Sequence, residues 1–357
     1  MSTRGGVATF VRQMRDTPIW AEWDIRHVAT HRDGGVATKL ATYAQALFIY
    51  VYRLAVHRPS IVHLHISSYG SFPRKYLFEL IARAARTAVV LHVHGSDFSV
   101  FYDEAPRALR VCIRDSLRGA AVVVALGEPW AVALRDIAPD ARIIVVPNAI
   151  RPASRLEPPS RSPDAGAPVQ VLFLGEVGER KGTFTLLDAW QRMIATTETT
   201  VLPRLVIAGD GAVERARELV AQLGIESTVE ITGWLAPHRV PDLIGQSQAL
   251  VLPSHREGQP MAILEAMAKG LCVVTCPVGG IPDLIDERCG LMVPPGAVEP
   301  LAEALGRVVR DDDLRTRLGE NALQRVRDEF DIDVVWRRFD RIYRSVMAEP
   351  GTSEAEA

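Results

Sequence analysis

The residues best suited to chemistry lie in one run, His255-Arg256-Glu257-Gly258-Gln259-Pro260-Met261-Ala262-Ile263-Leu264-Glu265-Ala266-Met267-Ala268-Lys269-Gly270. It follows directly on the apolar stretch 249–252, which reads as a strand. Pro260 suits the first turn of a helix and Gly270 suits its end. Glu257 then sits on the loop, and Glu265 on the helix a turn or so in. A loop that opens a helix after a strand aims free N–H groups outward, and the helix dipole adds to them, so phosphate oxygens are held there. Two flanking carboxylates can accept hydrogen bonds from hydroxyls. A diphosphate joined to hydroxyl-bearing rings would use both features. The plainer reading makes Glu257 a solvated loop charge and Glu265 a surface helix residue. Leu264, Ala266 and Met267, packed around Glu265 in sequence, speak against it.

A second segment, Gly175-Glu176-Val177-Gly178-Glu179-Arg180-Lys181-Gly182, follows the strand-like run 171–174. Its glycines let backbone pass close to a ligand, and Arg180 and Lys181 offer cations to a diphosphate. The order of residues is not that of a Walker A loop. A turn with solvated charges is the competing reading. Gly5-Gly6 is a weaker anion-loop signal. His94, in Leu91-His92-Val93-His94-Gly95-Ser96-Asp97, is expected at the carboxyl end of a strand. The pairs His63-x-His65 and His92-x-His94 each point to one strand face, without a cysteine nearby. They read as satisfied buried histidines or, for His94, as a site residue, and no metal is expected. The D-x-D matches Asp311-Asp312-Asp313 and Asp331-Ile332-Asp333 lie in helix-flanking polar segments and read as caps or solvated charge.

Elements able to position these residues recur along the chain. Runs at 61–66, 89–93, 121–125 and 143–146, then at 171–174, 205–208, 229–231, 249–252 and 272–275, are continuous and β-branched, as in parallel strands covered on both faces. Helical stripes lie between them: Val7, Phe10, Val11 and Met14, and then Val213, Ala216, Leu219, Val220 and Leu223 closed by Gly224. The alternation predicts an α/β chain of two Rossmann-like doubly wound domains. The stretch 147–168, with six prolines and no apolar periodicity, is expected to link them. The predicted division is 1–150, linker 151–168, 169–330, a crossover helix over 331–347 and a disordered acidic tail over 348–357. Ligands in open α/β sheets bind beyond the carboxyl ends of strands, so a cleft between the domains is the default site.

With 357 residues, 48% of them apolar, the chain can bury a large core without disulfides or metals. A net charge of -2 gives no reason to expect a nucleic-acid partner. Cys112, Cys272, Cys276 and Cys289 lack C-x-x-C spacing and read as reduced thiols of a cytoplasmic protein. The longest apolar run, 46–52, falls short of the ~20 residues a spanning helix needs. Arg74, Lys75, Arg83 and Arg86 among Tyr76, Leu77, Phe78, Leu80 and Ile81 suggest a basic amphipathic face for an anionic membrane surface, with a helix packed on the sheet as the alternative.

Taken together these segments resemble glycosyltransferase family 4, retaining transferases of GT-B architecture. Gly5-Gly6, the Gly175–Gly182 loop, Ala208-Gly209-Asp210-Gly211, Thr232-Gly233-Trp234, the Glu257…Glu265 motif and Val278-Gly279-Gly280-Ile281-Pro282 carry the likeness. The wording of the Glu257 motif is similar to that of bacterial cell-surface polysaccharide transferases. The resemblance implies transfer of a hexose-type sugar from a nucleotide-sugar donor to a hydroxyl of a glycan or lipid-linked acceptor, without metal or other cofactor. It implies that Glu257 binds donor sugar hydroxyls, Glu265 the ribose, and the backbone of Gly258, Gln259, Pro260, Met261 and Ala262 the sugar and distal phosphate. Lys181 and Arg180 would hold the diphosphate beside Gly175, His94 would lie near the transferred sugar, and Thr232, Gly233 and Trp234 near the base. Gly5 and Gly6 would form a further ligand loop. The implied place is the cytoplasm, peripheral at the inner face of the membrane.

Two features depart from the family. Glu176 stands where arginine is common, and only four residues precede Gly5, where the family has a strand. The second departure leads to the expectation of a strand of about five apolar residues upstream of Met1, since unpaired buried backbone groups cost about 1–3 kcal/mol each. Both features also leave open a non-catalytic protein that keeps the fold. A sugar-nucleotide epimerase is the other alternative.

Overall fold

The β-branched runs of the sequence become the strands of two all-parallel sheets. The computed structural model describes residues 6–32, 34–95, 98–152, 167–196 and 201–348. The chain folds as two compact units, unit 1 from residues 1–149 with 332–357, and unit 2 from residues 150–331.

Unit 1 runs α1 (Gly6–Arg15), α2 (Ile19–Glu22), α3 (Val36–His57), β1 (Ile61–Ile66), α4 (Ser71–Ala84), β2 (Ala88–Val93), α5 (Phe98–Glu104), α6 (Arg107–Gly119), β3 (Val122–Ala125), α7 (Glu128–Ile137) and β4 (Ile143–Val145). Unit 2 runs β5 (Gln170–Leu174), α8 (Thr183–Ala195), β6 (Arg204–Ala208), α9 (Val213–Leu223), β7 (Val229–Gly233), α10 (Val240–Gly245), β8 (Ala249–Leu252), α11 (Met261–Ala268), β9 (Cys272–Thr275), α12 (Ile281–Leu284), β10 (Gly290–Met292), α13 (Val298–Arg310) and α14 (Asp312–Arg325). The last helix, α15 (Ile332–Ala348), belongs to unit 1.

The sheet of unit 1 has the order β1-β2-β3-β4, and that of unit 2 the order β10-β9-β8-β5-β6-β7. In unit 1 the alternation of strand side chains splits the core into two layers. Val62, Leu64 and Ile66 join Phe72 and Phe78 on one face. Val90, Val122 and Val124 join Phe10, Phe339 and Val335 on the other. In unit 2 one core surrounds the sheet, with Trp190, Phe173 and Leu250 fully buried. The two ends of unit 2 adjoin: the Ile150 N–H donates to the Phe330 carbonyl at 3.0 Å. Residues 153–166, inside the expected linker, and 349–357, in the expected tail, lie outside the described residues, as does Gly5.

All nine runs read as strands are strands, with ends moved by two residues at most. The tenth, β10, has three residues and begins with glycine, which leaves little β signal. The four cysteines are free. Cys272 and Cys276 are buried, and burial pushes each thiol up to about 12, so neither is a thiolate at neutral pH. No described helix is long and apolar enough to cross a membrane.

Candidate functional site

In unit 2 the chain order reverses at β5, which pairs with β6 on one side and β8 on the other. The loops leaving β5 and β8 therefore emerge side by side at a switch point, where open α/β sheets bind ligands. These are the two segments with the strongest chemistry in the sequence. Glycine makes their contact possible. Gly182 has φ +70°, and a Cβ there would meet the Pro253 carbonyl oxygen at 2.1 Å. The His255 N–H donates to the Arg180 carbonyl at 2.9 Å and ties the loops together.

Two side chains complete the junction. Lys181 Nζ donates to Glu257 Oε1 at 2.5 Å, and the Ser254 hydroxyl donates to the same oxygen at 2.6 Å. Glu257 is 5% exposed and the Lys181 side chain 14%. A carboxylate so far from water needs these donors, since an unpaired buried charge is strongly unfavourable. Arg180 turns back instead, its Nη2 donating to Glu176 Oε2 at 3.0 Å, with both side chains substantially exposed. The charge that the sequence suggests Arg180 could supply is thus partly offset by the residue that created the need for it.

The other donor residues predicted in unit 2 lie on the loops and helix ends that follow its strands. The third loop, after β6, is held by Gly209, whose Cβ would lie 1.7 Å from the Gly175 carbonyl oxygen. The Val177 N–H donates to the Asp210 carbonyl at 2.6 Å. Gly258 accepts from the Gly280 N–H at 3.1 Å, so the loop at 278–280 buttresses the motif. Pro260 takes the N-cap position of α11 with extended ψ, one place earlier than the sequence suggests, and Gln259 and Met261 are buried beside it. Ala262 and Glu265 are half-buried on α11. Thr232 uses its hydroxyl on the Gly233 carbonyl at 2.9 Å, which makes it a support of the loop. Gly233 has φ +70°, and Trp234 is 46% exposed.

His94 lies in unit 1, just past β2, and Gly6 opens α1. The His94 N–H donates to the Ile66 carbonyl at 2.8 Å, and its Nε2 meets His65 Nδ1 at 2.9 Å. The two H-x-H pairs, separate in the sequence, become neighbours: the register sets His65 beside His92, and His94, just past β2, packs against both.

Other expected features resolve differently. Asp311 caps α14 by accepting from the Leu314 N–H at 2.8 Å, and Asp312 pairs with Arg315 at 2.7 Å, so the first D-x-D serves helix ends. Of the basic residues expected to form a face on α4, two are engaged within the unit, while Arg86 just past the helix is exposed. Arg83 pairs with Asp115 at 2.6 Å and with Glu79 at 3.6 Å. Lys75 turns into a cavity, where burial lowers its ammonium to about 8. Exposed apolar surface lies on α4 at Leu77 and Leu80 and more extensively on α3, where Leu40, Phe48, Tyr52 and Val56 recur at multiples of four residues.

Comparison with known proteins adds to this geometry. The family model described as glycosyl transferases group 1 matches residues 168–311, and that of the glycosyl transferase 4-like domain matches residues 5–149. A protein of Bacillus subtilis named for teichuronic acid biosynthesis, the glycosyltransferase TuaC, is 25% identical over 281 residues, 76% of this chain and 67% of that one. Alignments to curated relatives span from 37% to 67% of their length, about half in most cases. Among solved structures, sucrose-phosphate synthase of Thermosynechococcus elongatus superposes with TM-score 0.75 at 19% identity, covering 96% of this chain and 94% of its own. Anabaena HepE in complex with UDP-glucose gives TM-score 0.75 at 18% identity, covering 97% of each chain.

Proposed function

This chain belongs to the group 1 glycosyltransferases and has the GT-B fold, and we propose that it moves a hexose-type sugar from a nucleotide-sugar donor to an acceptor hydroxyl with retention of configuration. The acceptor is a glycan or lipid-linked glycan of cell-surface polysaccharide or glycolipid assembly. The observation that carries this reading is the Lys181–Glu257 junction at the switch point, with Glu257 four residues ahead of Met261, where α11 begins. It offers a cation, a helix N-terminus and a hydroxyl acceptor within one set of loops.

The bond between the anomeric carbon and the diphosphate breaks, with Lys181, Arg180 and the α11 N-terminus stabilising the developing charge. The acceptor oxygen bonds to the same carbon from the same face, and its proton passes to the departing phosphate oxygen. No enzyme nucleophile takes part. Glu257 holds sugar hydroxyls, Glu265 the ribose, and His94 lies by the transferred sugar. No divalent cation takes part in the departure of the diphosphate, so added magnesium or manganese leaves the rate within about twofold, far less than the factors a catalytic metal supplies.

The proposed setting is the cytoplasm at the inner membrane face. There α3, with its apolar stripe, Lys39, Arg53 and no carboxylate, meets anionic lipid. The Glu176–Arg180 pair favours the rival reading of a non-catalytic fold-keeper. Turnover decides between them. Purified chain is incubated with UDP-, GDP- and ADP-sugars and the products are read by mass spectrometry. Donor hydrolysis or transfer supports catalysis, whereas binding without turnover across donors and acceptors supports the rival.

A further inference from the structure

His63 and His65 alternate with Val62 and Leu64 along β1, and the register sets His65 beside His92 of β2. The rings crowd together. His63 stacks on His65 with centroids 4.6 Å apart, and His92 lies 5.1 Å from His65 and 5.5 Å from His63. Phe10 of α1 and Phe339 of α15 cover them, each 5.5 Å from His92. One ring nitrogen from each of His63, His65 and His92 lies within 4.8 Å of the other two.

The hydrogen bonds of this cluster are incomplete in a particular way. Both nitrogens of His92, and Nε2 of His63, are buried without a partner, and His92 is wholly inaccessible to water. Buried polar atoms nearly always find partners, and aromatic carbon supplies none here. Two of the rings are anchored: His63 Nδ1 meets the Tyr343 hydroxyl at 2.6 Å, and His65 Nδ1 meets His94 Nε2 at 2.9 Å. His63, fixed through one nitrogen and open at the other, has the arrangement that outer-shell partners give metal-binding histidines, while His92 offers both of its nitrogens.

We infer that His63, His65 and His92 form a site for one divalent transition-metal ion, with zinc the best fit. Imidazole nitrogen suits zinc, and three such ligands with a fourth position open are a common set. Nitrogens about 3.4 Å apart would satisfy tetrahedral bonds of about 2.1 Å, so nitrogens that lie within 4.8 Å of one another need close by at most ~1.4 Å. Ligand imidazoles must be neutral. Burial keeps them so, taking His63 down to about 4, while His65 and His92 fall well below the ordinary value. A cavity of about 720 Å³ opens onto His63 and His65 and gives the ion a path. The site lies in unit 1, whereas the donor loops belong to unit 2, and it goes beyond the transferase reading. Its effect is to tie β1 to β2.

The test uses the full chain. Protein purified, stripped with a chelator and titrated with zinc against a chromophoric chelator should bind one equivalent, and its melting temperature should rise with zinc. Cobalt should give the visible bands of a four-coordinate nitrogen-rich site. His92→Leu should weaken binding at least tenfold and lose the thermal shift. Stripped His92→Leu should melt no lower than the stripped parent, because it removes two unpaired buried nitrogens. The inference is overturned if the parent takes up no zinc above background, if cobalt keeps its six-coordinate spectrum, or if His92→Leu binds zinc as tightly as the parent.

Discussion

Lys181 and Glu257 stand 76 positions apart in sequence, yet their charged atoms lie 2.5 Å from each other across two loop ends. The pair joins the cation meant for a departing diphosphate to the carboxylate meant for sugar hydroxyls. Lys181→Met should lower kcat/KM by about a hundred- to thousandfold, the range found when one stabilising donor is lost. It should also destabilise unit 2 by at most about 3–5 kcal/mol, because Glu257 keeps its charge without its cation. Adding Glu257→Gln should restore much of that stability and none of the activity. Urea melts beside steady-state kinetics test this. Recovery of activity together with stability in the double variant would show that the pair only supports the fold.

The neighbouring pair predicts a gain. Glu176 engages Arg180 at an exposed position, where such pairs are worth about 0–1 kcal/mol. Glu176→Ala should release Arg180 and lower the donor KM by up to about fivefold, whereas Arg180→Ala should raise it. If the two substitutions shift KM in the same direction, the competition between Glu176 and the donor for Arg180 is wrong.

Glu265→Ala should abolish donor binding without unfolding the chain, since Glu265 is only half-buried on α11. Two hydrogen bonds from ribose hydroxyls to a carboxylate, at roughly 1.5–3 kcal/mol each, imply a hundredfold loss or more. Calorimetry with the donor found by the screen measures it, and an affinity near that of the parent would remove the role.

The strands were legible because β-branched runs carry their own signal, and the two donor loops because glycine, charge and a helix start coincide in each. Their junction was not legible. It depends on β5 lying between β6 and β8, which is a property of sheet order. The engagement of Arg180 by Glu176 depends on the short 3-10 turn Glu179–Lys181, which brings the two side chains together. On α4 the partners of the basic residues were not legible either. Arg83 and Lys75 share a helix with aromatic residues, but Asp115 of α6 claims Arg83 and the cavity takes Lys75. Which helix packs against which is not written in the periodicity of either.

Glu79 gives unit 1 a pH dependence. Its carboxyl is 1% exposed, accepts from the Ser116 hydroxyl and leaves Oε1 without a hydrogen bond. Burial raises it from 4.5 to about 7, against the opposing pull of Ser116 and Arg83, and Asp115 adds to the rise. Folding therefore favours the protonated form. The stabilisation is full below about pH 4.5 and is lost as pH rises through about 7, on the order of 3 kcal/mol in all. Glu79→Gln should be flat across that window. Melting temperatures of parent and variant at pH 5 and 8 decide it, and parallel profiles would refute the assignment.

Leu40, Phe48, Tyr52 and Val56 are exposed on α3, while Ala46, Tyr50 and Leu54 on its other face are buried in the core of unit 1. The helix carries Lys39 and Arg53 and no acidic residue, so the charge beside the apolar stripe is positive. A surface of this kind suits the headgroup region of anionic lipid, where apolar side chains enter the acyl boundary and cations meet phosphate. Burying one large apolar side chain is worth at most about 1.5–3 kcal/mol, so removing two should weaken partitioning by tenfold or more. Phe48→Ser combined with Tyr52→Ser should do so in co-sedimentation with anionic vesicles. The fold should survive, because neither side chain packs in the core. Arg83→Gln on α4 should leave lipid binding unchanged, since that arginine is already held by Asp115. Equal sedimentation of parent and double variant would exclude α3. Loss of binding in Arg83→Gln alone would return the contact to α4.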